Sequence, residues 1–155
     1  MKLTLFCDGA CSPTNPGGYA CWAWLALTQG VAIAQGYGCL GHGAGQTNNV
    51  SEYEAVLRAM RWAYRWMRDA EITIQTDSQL VVNQVNGKWD CNAEHLQPLC
   101  EKARKGLKLL GAQIIWIPRE KNRRADALSE LAYIKARDGR ALPFEALDDH
   151  RMRAG

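Results

Sequence analysis

The chain has 155 residues, 47% of them hydrophobic and 23% charged, which suits one domain with a real core and excludes a disordered or collagen-like polymer. No window reaches the apolar length of a membrane span, and the run from Met1 meets Asp8 too soon for a signal peptide, so a cytoplasmic location is expected, with no membrane partner. The net charge of +3 excludes little but is uneven: residues 1–100 carry a net −2, residues 101–140 a net +6 and residues 141–155 a net −1.

Leu3 to Ala10 is apolar and β-favouring, a strand that ends in the turn cluster Ser12-Pro13-Thr14-Asn15-Pro16-Gly17-Gly18. Tyr19 to Leu27 and Val31 to Leu40 are two further strands, joined by the short loop Thr28-Gln29-Gly30 and followed by a glycine-rich segment, Gly41 to Gln46. From Asn49 to about Arg68 the period becomes helical, with Tyr53, Val56, Leu57, Met60, Ala63, Tyr64 and Met67 on one face. Ile72 to Thr76 alternates as a strand and stops at Asp77. Ser78 to Asn86 is a short helix closed by Gly87, and a longer one runs from about Glu94 to Leu110 before Gly111. Gln113 to Ile117 is a fifth strand, Pro118 a breaker, and Asn122 to about Lys135 the last helix.

The order β-β-β-α-β-α-α-β-α predicts an α/β fold, a mixed sheet flanked by helices. One domain is expected at residues 1–137, with 138–155 as a tail that either docks through Leu142, Phe144 and Leu147 or stays loose. The cationic stretch 101–140 suits either a phosphate backbone or a solvated helix face. Cys7, Cys11, Cys21, Cys39, Cys91 and Cys100 show no CxxC pair or ligand spacing, which argues against zinc and for reduced thiols packed as small hydrophobes. The six tryptophans, at strand or helix spacing, are expected mainly in the core.

Four acids stand out, each with a structural alternative. Asp8 interrupts an apolar strand, a costly place for a carboxylate unless it is paired, cation-bound or at a wet strand end. Glu52 lies three residues after Asn49, a capping-box spacing, but also borders the apolar stripe beside Ala55 and Ala59. Asp77 closes a strand and precedes a helix, where Asp77 or Ser78 could serve as the cap. Asp126 sits in the first turn of the last helix among Lys121, Arg123 and Arg124, where the helix dipole or an ion pair would accommodate it. If these elements converge, the four carboxylates repel one another without counterions, and hard divalent cations relieve that repulsion. Two such ions about 3.5–4 Å apart can clamp a phosphodiester.

Asp8-Gly9-Ala10 with Asn15-Pro16-Gly17-Gly18, Thr47-Asn48-Asn49 with Glu52, Thr76-Asp77-Ser78, and Ala125-Asp126-Ala127-Leu128 follow one another with spacing that resembles type 1 ribonuclease H over about residues 3–136. The resemblance implies a five-stranded mixed sheet flanked by helices. It also implies an endonuclease for the RNA strand of RNA–DNA hybrids, leaving 5′-phosphate and 3′-hydroxyl ends. Asp8, Glu52, Asp77 and Asp126 match the family's metal-binding acids, expected to hold two Mg²⁺ ions with substrate, Mn²⁺ being an alternative. Asn15, Asn49 and Gln79 match minor-groove contacts, Thr47 a DNA-phosphate contact, and Glu52 also senses a 2′-hydroxyl. No protein partner is implied, and a monomer is expected.

Two departures qualify the match. The inserted basic helix of many bacterial relatives is missing: Asn86 to Asn92 joins the helices directly, leaving Lys88 and Trp89 as candidate phosphate and stacking contacts, or Trp89 as a core aromatic. The loop before Asp126, Pro118-Arg119-Glu120-Lys121-Asn122, carries no histidine and resembles the form in archaea, plants and some bacteria. Arg119 is the candidate phosphate ligand there. A transposase-like or resolvase-like nuclease, a reverse-transcriptase ribonuclease domain and an inert nucleic-acid-binding module are the competing readings.

Overall fold

A computed structural model describes residues 1–151. Apolar residues, roughly alternating along β1 and continuous along β2, build three long strands, β1 (Lys2–Ser12), β2 (Tyr19–Thr28) and β3 (Val31–His42), paired antiparallel in sequence order. Helix α1 (Asn48–Trp66) then crosses back to β4 (Glu71–Thr76), which runs parallel to β1. After α2 (Gln79–Val85) and α3 (Gln97–Leu110), β5 (Gln113–Trp116) extends the parallel side. A short 3₁₀ helix, Arg119–Lys121, leads into α4 (Arg123–Arg137).

The sheet has six strands in the order β5-β4-β1-β2-β3-β6, not the five expected. The sixth, β6 (Phe144–Asp149), comes from the segment beyond 137 and pairs antiparallel with β3. Its weak sequence periodicity has a physical cause. Phe144 and Asp149 are buried, but Leu147 is exposed, so the strand does not alternate apolar and polar residues.

The two faces of the sheet carry different cores. Leu5, Trp22, Trp24 and Ile74 pack with Tyr53, Val56 and Trp62 of α1 and Ala103 of α3. Cys21, Ala23, Tyr37 and Cys39 meet Ala132 and Ala136 of α4 on the other side. The β2 indoles lie over bare backbone: a Cβ on Gly38 would be 2.6 Å from the Trp22 ring, and one on Gly36 would be 2.4 Å from Trp24 Nε1. Trp22, Trp24 and Trp62 are core residues as expected, whereas Trp66, Trp89 and Trp116 are 41%, 47% and 45% exposed. All six cysteines are free thiols, and five are buried. Among the described residues no helix is long and apolar enough to cross a membrane. The cationic stretch does not form one surface, since α3 packs on α1 while α4 covers the opposite face of the sheet.

Candidate active site

The parallel register of β1 and β4 pairs Cys7 with Thr76, so Asp8 and Asp77, the next residue in each chain segment, lie side by side. Helix α1 brings Glu52 against them because Gly9 has no side chain. A Cβ there would stand 2.4 Å from the Glu52 backbone nitrogen and 2.6 Å from the Ser51 carbonyl oxygen. One carboxylate oxygen from each of Asp8, Glu52 and Asp77 falls within 4.8 Å of the others. Asp126, on the first turn of α4, stands outside that compact trio. It lines the same cleft of about 260 Å³, together with Asn15, Asn48 and Arg119.

The local caps leave these acids unused. Thr47, not Asn49, caps α1, its hydroxyl accepting the Val50 N–H at 3.2 Å. Glu52 is therefore too far into the helix to close a capping box, and its carboxylate is directed elsewhere. Ser78, not Asp77, caps α2, accepting the Val81 N–H at 3.2 Å. Asp77 is fixed instead from behind: the Asn122 side-chain amide donates to Asp77 Oδ1 at 3.3 Å and to the Cys7 carbonyl at 2.8 Å, and the Trp116 indole donates to the Asp77 carbonyl at 3.1 Å.

The electrostatics are those of an unneutralised cluster. Asp8 is 5% exposed. Burial pushes its carboxyl up to about 8, and the charges of Asp77 and Asp126 add to that against the Ser129 hydroxyl, which lowers it. Glu52 is likewise pushed well above the usual carboxylate range, by burial first and then by Asp8 and Asp77. The Gly9 N–H and Arg119 oppose this only in part. Glu52 Oε2 is buried without a hydrogen-bond partner among the described residues. A hard, oxygen-preferring cation fits this donor set, because it would satisfy the orphaned oxygen and offset the repulsion together.

Of the proposed substrate contacts, Asn15 and Arg119 line the cleft. Asn15 Oδ1 accepts the Asn48 N–H at 3.0 Å, which ties the first turn-rich loop to the start of α1. Thr47 and Asn49 are half-buried at that helix start, and Gln79 is exposed at the first residue of α2. Lys88 and Trp89 are exposed beyond the end of α2, their backbone N–H groups both bonded to the Asn83 carbonyl, so the core placement considered for Trp89 does not hold. Two buried polar residues that bond directly to the site acids, Asn122 and Ser129, carry no such role in the sequence pattern. Ser129 donates to Asp8 Oδ2 at 2.7 Å, and its only signal was its position three residues after Asp126, on the same helix face.

Residues 6–132 match the family described as reverse transcriptase-like. The chain is 37% identical over 132 residues to ribonuclease HI of Halobacterium salinarum, covering 84% of this chain and 64% of that protein. The crystal structure of RNase H1 from the same archaeon superposes with a TM-score of 0.76 at 34% identity, over 85% of this chain and 97% of that one. The chain is 30% identical to the bifunctional protein Rv2228c of Mycobacterium tuberculosis, over 83% of its own length but only 35% of that protein. The chain thus spans less than two thirds of the length of the Halobacterium ribonuclease HI and of Rv2228c. LC11-RNase H1 in complex with RNA/DNA hybrid matches with a TM-score of 0.78 at 27% identity, over 86% of this chain and 98% of that one.

Proposed function

The chain belongs to the type 1 ribonuclease H family, and on that premise we propose that it hydrolyses the RNA strand of RNA–DNA hybrids at a divalent-cation site built from Asp8, Glu52, Asp77 and Asp126. The observation that carries this reading is the carboxylate trio, with ligand atoms within 4.8 Å and, among the described residues, a buried Glu52 oxygen with no hydrogen-bond partner. Such a cluster is strongly unfavourable unless cations complete it. That a relative of known structure, LC11-RNase H1, holds an RNA/DNA hybrid supports the choice of substrate.

Two Mg²⁺ ions, or Mn²⁺ in their place, would supply Lewis acidity and an activated water for in-line attack on the RNA phosphorus, giving 5′-phosphate and 3′-hydroxyl products. The protein's share is placement. Asp8 on β1 and Asp77 just past β4 would hold the cations, with Asp126 from α4 and Glu52 from α1, where it would also meet the RNA 2′-hydroxyl. Arg119, at the cleft wall, receives a phosphate oxygen. Asn15, Thr47, Asn49 and Gln79 flank the groove that takes the duplex, and Lys88 with Trp89 gives a reduced contact to the DNA strand. The α2–α3 connection, residues 86–96, contains no helix, so hybrid affinity is lower than in relatives with a basic protrusion and falls steeply with salt. The protein acts as a monomer in the cytoplasm.

The test is cleavage of a labelled RNA–DNA hybrid across a Mg²⁺ and Mn²⁺ series, beside duplex DNA, duplex RNA and single-stranded RNA. Hybrid-selective, metal-dependent cutting that Asp8→Asn and Asp77→Asn abolish without loss of binding is expected. Near-wild-type cutting by either variant refutes the site.

A further inference from the structure

Building on that carboxylate-site reading, we propose that Ser129 is a positioning residue whose hydroxyl orients Asp8 for the divalent cation, so that cation affinity depends on a side chain that never touches the ion.

Ser129 is 2% exposed, and it belongs to the stripe Ala125, Ser129, Ala132, Ala136 that α4 buries. Alanine would suit that stripe better on packing and helix propensity alone, and a buried hydroxyl is unfavourable unless it is bonded. A helical serine usually finds a partner in its own preceding turn. Here the Asp126 carbonyl oxygen offers one at 2.9 Å. The shorter contact is to Asp8 Oδ2, at 2.7 Å across 121 positions of sequence. One hydroxyl has one hydrogen, and of its two acceptors the Asp8 carboxylate, ionised once a cation is bound, makes the stronger bond.

Three consequences follow for the site. The bond engages Oδ2 and fixes how the carboxylate faces the cleft. It restricts a terminal carboxylate torsion that is otherwise broad, so Asp8 is preset before an ion arrives. It also ties β1, which carries Asp8, to α4, which carries Asp126, and so fixes the spacing between two ligands from opposite sides of the cleft.

The experiment measures Mn²⁺ binding to the full chain without nucleic acid, following the EPR signal of free Mn²⁺, for wild type, Ser129→Ala and Ser129→Thr. Loss of an oriented outer partner typically weakens metal binding 10- to 100-fold; Ser129→Ala should fall about tenfold or more, and Ser129→Thr should stay within about threefold of wild type. Thermal midpoints in chelator should leave Ser129→Ala close to wild type, and excess Mg²⁺ should restore most of its hybrid cleavage. Wild-type Mn²⁺ affinity in Ser129→Ala overturns the proposal and leaves the carboxylate site standing. So does equal weakening in both variants that follows a lowered midpoint in chelator. A wild-type protein that binds no Mn²⁺ overturns the carboxylate-site reading and this proposal with it.

Discussion

Asp8 and Asp149 are almost equally buried, at 5% and 4% exposure, yet they occupy opposite electrostatic situations. Around Asp149, burial alone would raise the carboxyl, but the donors outweigh it and hold it below the usual range. The Arg151 guanidinium donates at 2.7 and 3.1 Å, the Trp62 indole at 2.9 Å and the Arg151 backbone N–H at 3.0 Å. Around Asp8 there is one serine hydroxyl and a group of other acids, and the carboxyl is pushed up to about 8. The difference separates two uses of buried charge. Asp149 is completed by the chain itself and joins β6 to α1, while the Asp8 cluster awaits completion from outside.

Asp8→Asn should break the comparison most sharply. Cleavage of hybrid should fall by on the order of 10²–10³ or more, as for loss of one preorganised electrostatic group. The metal-free thermal midpoint should stay level or rise, because the amide is neutral at every pH and never adds a charge to the repelling set. A clear drop in that midpoint would place Asp8 with the structural acids. Asp149→Ala should do the reverse, costing about 2–3 kcal/mol in denaturant unfolding. That lies below the range for a fully buried pair because the Arg151 side chain is 32% exposed. Hybrid cleavage per folded molecule should be unchanged.

Gly9→Ala tests the close approach that brings Glu52 to the cluster. The added Cβ meets helix backbone, so α1 must move. The expected loss of about 1–3 kcal/mol of stability should come with a weakened metal response. A variant with normal metal dependence would show that the Glu52 position tolerates the shift.

The two carboxylates also predict opposite pH behaviour in chelator. Asp8 holds its proton in the folded state up to about 8 against an ordinary value of 3.8, so its stabilising contribution is complete below the lower value and is lost as pH rises through the upper one. Asp149 is lowered, so its contribution is present above the ordinary value and is lost on acidification. The thermal midpoint of the chelated wild type should therefore decline from about pH 5 to pH 9, and Asp8→Asn should flatten that decline. An identical slope in both proteins would remove Asp8 as its source. The smallest effect is expected for Arg119→Ala, a severalfold change in KM or kcat from losing one exposed phosphate ligand. Unchanged kinetics would exclude that role.

Much of the fold could be read locally. The periods of Tyr53 to Met67 and of Ile72 to Thr76, the hairpin at Gln29-Gly30 and the Gly111 stop depend on neighbours a few positions away, and each element formed near its expected bounds. The third helix starts later than expected, at Gln97, because residues 91–96 form no helix. The cap of α1 moved to Thr47 because a side-chain oxygen must reach an N–H three residues on, and helix start positions are the least certain part of a periodic pattern. β6 was hidden because an edge strand with Leu147 exposed lacks strict alternation.

For the site, the sequence by itself determined which acids to examine and the order of motifs that relates them to one family. Tertiary structure decided which of those acids are free to act. Ser78 and Thr47 took the capping work, Gly9 let Glu52 approach, and Asn122 and Ser129 reached Asp77 and Asp8 across the fold. It also decided that Asp149 is satisfied and Asp8 is not. Periodicity is a property of adjacent residues, whereas the charge state of a buried carboxylate depends on donors that only folding brings within hydrogen-bond distance.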